Sequence, residues 1–481
     1  MSSKIFSGAL IVVSMRWSDR LIGVISTLVL ARLLVPDDFG VVAMASLFTG
    51  LVDVLLDLGV VASLIHKGRC EDADFNTAWT IRLIQAALAA AIIVIASPWV
   101  ADYYNDARVT AVLWVMAGST LIGGLENIGI VNFQKEMNFA KDFQYFFLRR
   151  VAGFLATLML AWYFKSYWAL PLGTLVGRLF GLGASYALHP FRPRLTLERF
   201  RGMWSFSQWM LLRSIGGYVD SRLDKLLIGH RNDAAMVGTY ALSDEISAMP
   251  STELLAPLGR VLFPALVNVR ENAGKLRYAF LMALSIQAMI AVPAAAGLAL
   301  VAREAVAVLL GAKWMGAVPF VQTLSLVYGV AAVSHAAGYL LLTLGKVRLL
   351  AIFIWMQLVF FALGAMTLLA HSEPLALARW RLSLAVVGAL GVIALVVRLV
   401  DGLHVKDIVG ALWRPLVATS AMAAALMFMP NVEDPKLLDL SMRCIVGGVV
   451  YGIILVGLWW AAGRPEGGES YLLKKMRLYR A

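Results

Sequence analysis

Apolar runs long enough to cross a bilayer recur along this chain from Ile5 to Trp460, with only short polar stretches between them. A spanning helix needs about 20 mostly apolar residues, and on that measure the runs predict about fourteen helices. Six lie at 9–34, 39–64, 77–100, 109–133, 144–164 and 167–189. Six more follow at 203–229, 236–266, 278–302, 318–344, 347–370 and 377–400, and a final pair occupies 409–430 and 440–462. In lipid the backbone has to bond within each segment, so the expected fold class is all-α integral membrane. Lys4 and the run Ile5 to Met15 look at first like a secretory leader. Arg16, Trp17, Ser18, Asp19 and Arg20 then follow without a small-residue cleavage pattern, so the segment reads as an uncleaved first span.

The polar stretches alternate in character. One set is basic: Lys67 and Arg69, Lys135 and Lys141, the connector with Arg192, Arg194, Arg199 and Arg201, then Arg270, Lys275 and Arg277, Lys346 and Arg348, Arg398 and Lys406, and a tail with Lys474, Lys475, Arg477 and Arg480. The other set holds little beyond Arg108, Lys165, Arg231, Lys313 and Lys436, and carries the acidic stretches Asp102 to Asp106 and Glu433 to Asp439. Short loops rich in Lys and Arg stay on the cytoplasmic side. The asymmetry therefore predicts an even number of spans, with both termini cytoplasmic, in a bacterial inner membrane.

Composition narrows the function. Of the 481 residues 60% are hydrophobic and 15% charged, and the mean hydropathy is +0.78, which leaves no room for an extramembrane enzyme domain. The net charge of +12 is spread over short loops instead of one basic helix, which speaks against nucleic acid as a partner. Cys70 and Cys444 form neither a disulfide framework nor a metal site. The histidines do not cluster, and only His335 lies deep in a span. No phosphate-binding glycine loop or nucleophile elbow occurs, so neither an enzyme nor a metal or organic cofactor is expected.

A weak internal repeat organises the spans. The segment Phe39, Gly40, Val41, Val42, Ala43, Met44, Ala45 parallels Val237, Gly238, Thr239, Tyr240, Ala241, Leu242, Ser243, with the two glycines about 200 residues apart. Each glycine opens the second helix of a six-helix group. The plan is an N-terminal lobe at 1–200, a second at 201–400, and two further helices with a basic cytoplasmic tail at 401–481.

The stretch Ala31-Arg32-Leu33-Leu34-Val35-Pro36-Asp37-Asp38-Phe39-Gly40 resembles the signature of the Wzx-type polysaccharide transporter (flippase) family. Asp224-Lys225-Leu226-Leu227-Ile228-Gly229 followed by Val237-Gly238-Thr239-Tyr240 is similar to that family's seventh-to-eighth helix region. Helix number, loop polarity and repeat extend the likeness over the whole chain, most closely to the colanic-acid and exopolysaccharide exporters. The resemblance implies the fold of the multidrug/oligosaccharidyl-lipid/polysaccharide (MOP) superfamily, two six-helix lobes about a central cavity. It also implies the substrate, an undecaprenyl-diphosphate oligosaccharide, and a place beside polysaccharide polymerase and export machinery.

Charges inside spans are costly and usually face a bundle interior or a watery cavity. On the first helix Arg16, Asp19 and Arg20 share one face; Arg20 lies about 21 Å from Leu34, in the cytoplasmic half. A surplus buried arginine suits a diphosphate, whose oxygens its planar donors bind in pairs. Arg213, Asp220 and Asp224 line one stripe of the seventh helix, with Arg222 pointing elsewhere. The candidate substrate contacts are Arg16, Arg20, Arg82, Arg213 and Arg222. Asp19, Asp53, Asp57, Asp220, Asp224 and Glu245 are the candidates for gating or for coupling to a proton or sodium ion. Glu126 and Arg178 are further charges within spans, while Arg149 and Arg150 read as interfacial and Gly173, Gly177 and Gly181 as a packing ridge. The Pro250, Pro257, Pro264 series predicts a bent eighth helix.

These features favour a flippase that carries the lipid-linked oligosaccharide outward by alternating access. Competing readings are an exporter of lipid II or drugs on the same fold, a membrane glycosyltransferase or polymerase, and a non-transporting scaffold. A glycosyltransferase would need a large outer catalytic loop, and a carrier of cationic drugs a mainly acidic cavity.

Overall fold

The computed structural model describes residues 2–57, 59–61, 64, 70–136, 138–368, 373–430, 436–465 and 467–475, with backbone alone over 2–16, 201–214, 252–254, 256–261, 368 and 472–475. Among the described residues the longer helices are α1 (Ser2–Leu33), α2 (Pro36–Leu56), α3 (Asp72–Tyr104), α4 (Arg108–Leu125), α5 (Phe139–Phe164), α6 (Ala169–Leu188), α7 (Phe200–Arg231), α8 (Ala234–Asn268), α9 (Ala273–Leu300), α10 (Val318–Thr343), α11 (Val347–Leu363), α12 (Pro374–Leu399), α13 (Val405–Met427) and α14 (Lys436–Ala461). Among the described residues ten helices, α2 to α5 and α9 to α14, are long and apolar enough to cross a membrane. The other four, α1, α6, α7 and α8, run for 32, 20, 32 and 35 residues. The molecule is a multi-pass membrane protein. Two expected helices end early: 39–64 stops at Leu56 and 109–133 at Leu125.

The chain forms two compact units, Met1–Ala241 and Leu242–Ala481. In the first, α5 and α6 press together along small residues, and a Cβ on Gly177 would lie 3.0 Å from Gly153 Cα. Such ridges let helix backbones approach where lipid supplies no hydrophobic drive. Helices α2 and α8 cross more tightly still. A side chain on Gly40 would run into the Ala234 carbonyl, and one on Gly238 would meet the Pro36 carbonyl and come 2.7 Å from the Gly40 nitrogen. Each glycine thus faces the residue four places before the other, so the two segments aligned as a repeat in sequence meet in a reciprocal contact.

The same end of this unit is tied by polar contacts. Arg108 bridges Asp37 and Asp106, and Asp38 accepts the backbone N–H groups of Val35 at 3.1 Å and Tyr167 at 2.8 Å. The Tyr240 hydroxyl donates to the buried Asp224 carboxylate at 2.7 Å. Trp99, Trp162 and Tyr163, all well exposed, sit near the ends of α3 and α5, where aromatic rings favour the headgroup level.

In the second unit Leu276, Phe280, Leu284, Leu340, Val392 and Val396 build a core across α9, α10 and α12. A tail helix, Gly468–Lys475, docks beside α9. Its Glu469 takes two hydrogen bonds from Arg414 of α13, at 2.7 and 3.2 Å, and both residues are buried.

Candidate substrate-binding site

Three arginines of the first unit converge on one carboxylate. Glu126 lies 3.0 Å from Arg82 of α3, 3.1 Å from Arg149 of α5 and 3.7 Å from Arg178 of α6. Arg82 stands ten residues after Asp72, Arg149 ten after Phe139 and Arg178 ten before Leu188, so each is about 15 Å along its helix from the same end. Charges within spanning helices persist only if paired or facing water.

Local sequence makes the convergence possible. Helix α4 stops at Leu125, and Glu126 follows in a non-helical conformation before a short 3-10 turn at Ile128–Ile130. Asn127 holds the break. Its N–H donates to Ser185 Oγ at 3.0 Å, its amide donates to the carbonyls of His189 and Phe191 at 3.2 and 2.7 Å, and its oxygen accepts from Gly129 N–H. Irregular backbone at membrane depth is tolerated only in protein or beside a cavity. His189 Nδ1 accepts from Phe191 N–H, which requires an unprotonated nitrogen; burial holds this imidazole below its usual range, in agreement. Two glycines give the arginines their room: a Cβ on Gly123 would come 3.0 Å from the Arg178 guanidinium, and one on Gly181 2.8 Å from Arg149 Cδ.

The electrostatics are lopsided. Three guanidiniums against one carboxylate leave two positive charges in contact. Glu126 is 2% exposed, whereas the arginine side chains are 24–34% exposed, so the acid lies behind and the bases face outward. Asp53 of α2 acts on Arg178 through space. Guanidinium donors gathered in this way can bind a phosphate-type anion.

The other residues singled out in the sequence are dispersed. Arg20 is half-buried on α1, and Asp19 pairs with Arg150 at 3.1 Å. The side chains of Arg16 and Arg213 lie outside the described residues. Asp53 and Asp57 are exposed, Asp57 accepting from Gly59 N–H at 2.8 Å. Asp220 and Arg222 are exposed on α7, while Asp224 is buried against Tyr240. Glu245 is exposed; its neighbour Asp244 is buried, accepting from Tyr328 Oη at 2.7 Å and Arg381 at 3.3 Å. Of the candidate substrate contacts whose side chains are described, Arg20, Arg82 and Arg222, only Arg82 joins the cluster. Among the described residues no group of three His, Cys, Asp or Glu side chains is placed to hold a metal.

A many-helix membrane bundle that gathers three arginines around one buried carboxylate has the build of a membrane transporter. The chain belongs to the polysaccharide biosynthesis protein family, whose model matches residues 29–319. It is 24% identical to the lipopolysaccharide biosynthesis protein WzxC of Escherichia coli over 68% of this chain and 67% of that one. It is 24% identical to the succinoglycan biosynthesis transport protein ExoT of Rhizobium meliloti, over 63% of this chain and 62% of that one. Its fold matches lipid II flippase MurJ in an inward closed conformation, with a TM-score of 0.76 at 11% identity, covering 95% of this chain and all of that one. An inward-facing multidrug MATE transporter of the MOP superfamily matches with a TM-score of 0.60 at 15% identity, over 86% of this chain and 96% of that one. The fold is that of the MOP superfamily, and neither family nor fold is that of an enzyme.

Proposed function

We propose that the protein flips undecaprenyl-diphosphate-linked oligosaccharide repeat units from the cytoplasmic to the periplasmic leaflet for exopolysaccharide, capsule or O-antigen synthesis. The observation that carries this reading is the interior cluster of Arg82, Arg149 and Arg178 around Glu126, with its two surplus positive charges. Sugar hydroxyls moved into hydrocarbon without partners cost several kcal/mol each, so the head group needs a polar path while the prenyl tail stays in lipid. The arginines grip the diphosphate, and alternating access exposes the bound head group to one side and then the other. The basic loops support cytoplasmic termini, and the unit, once across, would pass to polymerase and export machinery. Proton or sodium antiport through acids such as Asp220 and Glu245 resets the empty carrier.

A carrier of cationic drugs on the same fold is disfavoured by the sign of the cluster. The direct test is flipping of a fluorescent prenyl-diphosphate oligosaccharide in proteoliposomes. Arg149→Gln combined with Arg82→Gln should lower the rate at least tenfold in protein that still inserts and purifies as a monodisperse species. Unchanged flipping by that variant would sink the reading. If flipping under a pH or sodium gradient alone is unaffected by Asp220→Asn, the coupling role of Asp220 is wrong.

A further inference from the structure

We infer that Asn127 is a positioning residue that ties the arginine–Glu126 site to the connector between α6 and α7, so that seating of the connector on α3 and the grip of the site on an anion are coupled. The inference rests on the reading of the cluster as the head-group site.

The Asn127 side chain is divided between two jobs. Its Oδ1 accepts from Gly129 N–H at 2.9 Å and caps the 3-10 turn, which a serine oxygen would do as well. The amide is not needed for that. It has two N–H donors, and both are spent on the connector, on the carbonyls of His189 and Phe191 at 3.2 and 2.7 Å. Asn127 is 0% exposed, so these donors have no water to fall back on and would be stranded if the connector moved away. The same stretch of backbone is held by the last turn of α6: Asn127 N–H donates to Ser185 Oγ at 3.0 Å, and Tyr186 Oη donates to the Leu125 carbonyl at 3.2 Å. Glu126 lies between these anchors, so its place among the arginines is set from α6 and from the connector.

The connector, residues 189–199, is in turn seated on α3. Its backbone is irregular, and its N–H groups meet side chains instead of a backbone ladder. Arg194 N–H donates to Asn76 Oδ1 at 2.7 Å, Thr196 N–H to Thr80 Oγ1 at 3.0 Å and Arg199 N–H to Thr77 Oγ1 at 3.3 Å, while Pro190 and Pro193 have no N–H to place. Phe191 packs on Phe75 with ring centroids 5.7 Å apart. Thr80 stands two residues before Arg82, which returns to Glu126 at 3.0 Å. The contacts thus close a ring from Glu126 through Asn127, the connector, Thr80 and Arg82 back to Glu126. A shift at any link has to be taken up by the others. Helix α7 begins at Phe200, directly after the connector, so a displacement of its first turn reaches the charged site along this path. The seat is also easy to leave: neutral hydrogen bonds to side chains each contribute little net stability, and Leu195 and Leu197 of the connector are exposed instead of packed.

Hydrogen exchange of the connector amides, read by mass spectrometry on the full-length protein in lipid nanodiscs, tests the coupling with farnesyl diphosphate as the anionic probe at concentrations that saturate each variant. The probe should slow exchange over 191–199 at least fivefold in the native protein. Asn127→Ser keeps the capping oxygen and removes the two amide donors; its connector should exchange faster at rest and should no longer respond to the probe. Coupling of binding free energies is reciprocal, so Asn76→Ala with Thr80→Val, which alters no arginine, should weaken farnesyl diphosphate binding at least fivefold. That second variant decides the matter should Asn127→Ser fail to fold. If the probe slows the connector equally in native protein and Asn127→Ser, or if the Asn76 and Thr80 variant binds it with native affinity, Asn127 is only a cap and the inference falls while the site reading stands. If Arg82→Gln with Arg149→Gln leaves farnesyl diphosphate affinity unchanged, the site reading itself falls.

Discussion

Arg414 and Glu469 show what one buried ion pair contributes in this molecule. Both lie inside the second unit, and they share two hydrogen bonds across the join between α13 and the tail helix. Removing one partner of such a pair strands a buried charge and costs about 3–5 kcal/mol, whereas replacing both with apolar groups of similar volume is often neutral. Glu469→Ala should therefore lower the thermal midpoint in detergent sharply, and Glu469→Leu with Arg414→Met should recover most of it, as read by tryptophan-fluorescence melting. The contrast with Glu126 is instructive at this scale. Arg414 is matched one to one, while the arginines at Glu126 are not. Single residues are also where the sequence was hardest to read. Arg82 was recognisable as a charge within a span, but Arg149 read as interfacial and Arg178 as a neighbour of a packing ridge. Helical spacing reports which residues share a face of one helix; it does not report which faces of different helices meet. In the structure each of the three arginines stands ten residues from the same end of its helix, a shared register that the predicted spans, opening at 77 and 144 and closing at 189, did not give.

At the scale of elements, the apolar runs located the helices well because length and hydropathy are set by the bilayer. The break after Leu125 was not legible, since Glu126 to Lys135 contains enough apolar residues to continue a helix pattern while Asn127 redirects the chain through its own hydrogen bonds. The two family-like stretches were legible as motifs, and the structure adds their shared purpose: Gly40 and Gly238 lie at the α2–α8 crossing, where only hydrogen fits between backbones. Overpacking of this kind costs typically 1–3 kcal/mol. Gly40→Val and Gly238→Val should each lower the melting midpoint, whereas the same change at Gly118, around which a Cβ would find open space, should be close to neutral. Equal melting of all three variants would show that the crossing is looser than its geometry states.

For the whole molecule the informative quantity is the charge moved per cycle. A carrier returns to its starting state, so site charges cancel over a turnover and the net transfer is that of the cargo and any coupled ion. A diphosphate diester carries two negative charges outward, and an inside-negative potential contributes about 2.3 kcal/mol per charge per 100 mV. Two charges give about 4.6 kcal/mol, or roughly a thousandfold bias toward the outer leaflet. Antiport of a cation inward adds to this bias, whereas a cation travelling outward with the lipid subtracts from it. Proteoliposomes clamped at a series of potassium diffusion potentials with valinomycin, with no pH or sodium gradient, distinguish the two by the final leaflet distribution of a short-chain diphosphate probe. The proposed resetting antiport requires a voltage dependence of at least two charges, steepening by one for each cation exchanged. A dependence below two charges means that cations accompany the lipid outward, and the acids of α7 and α8 would then belong to loading of the carrier instead of its return.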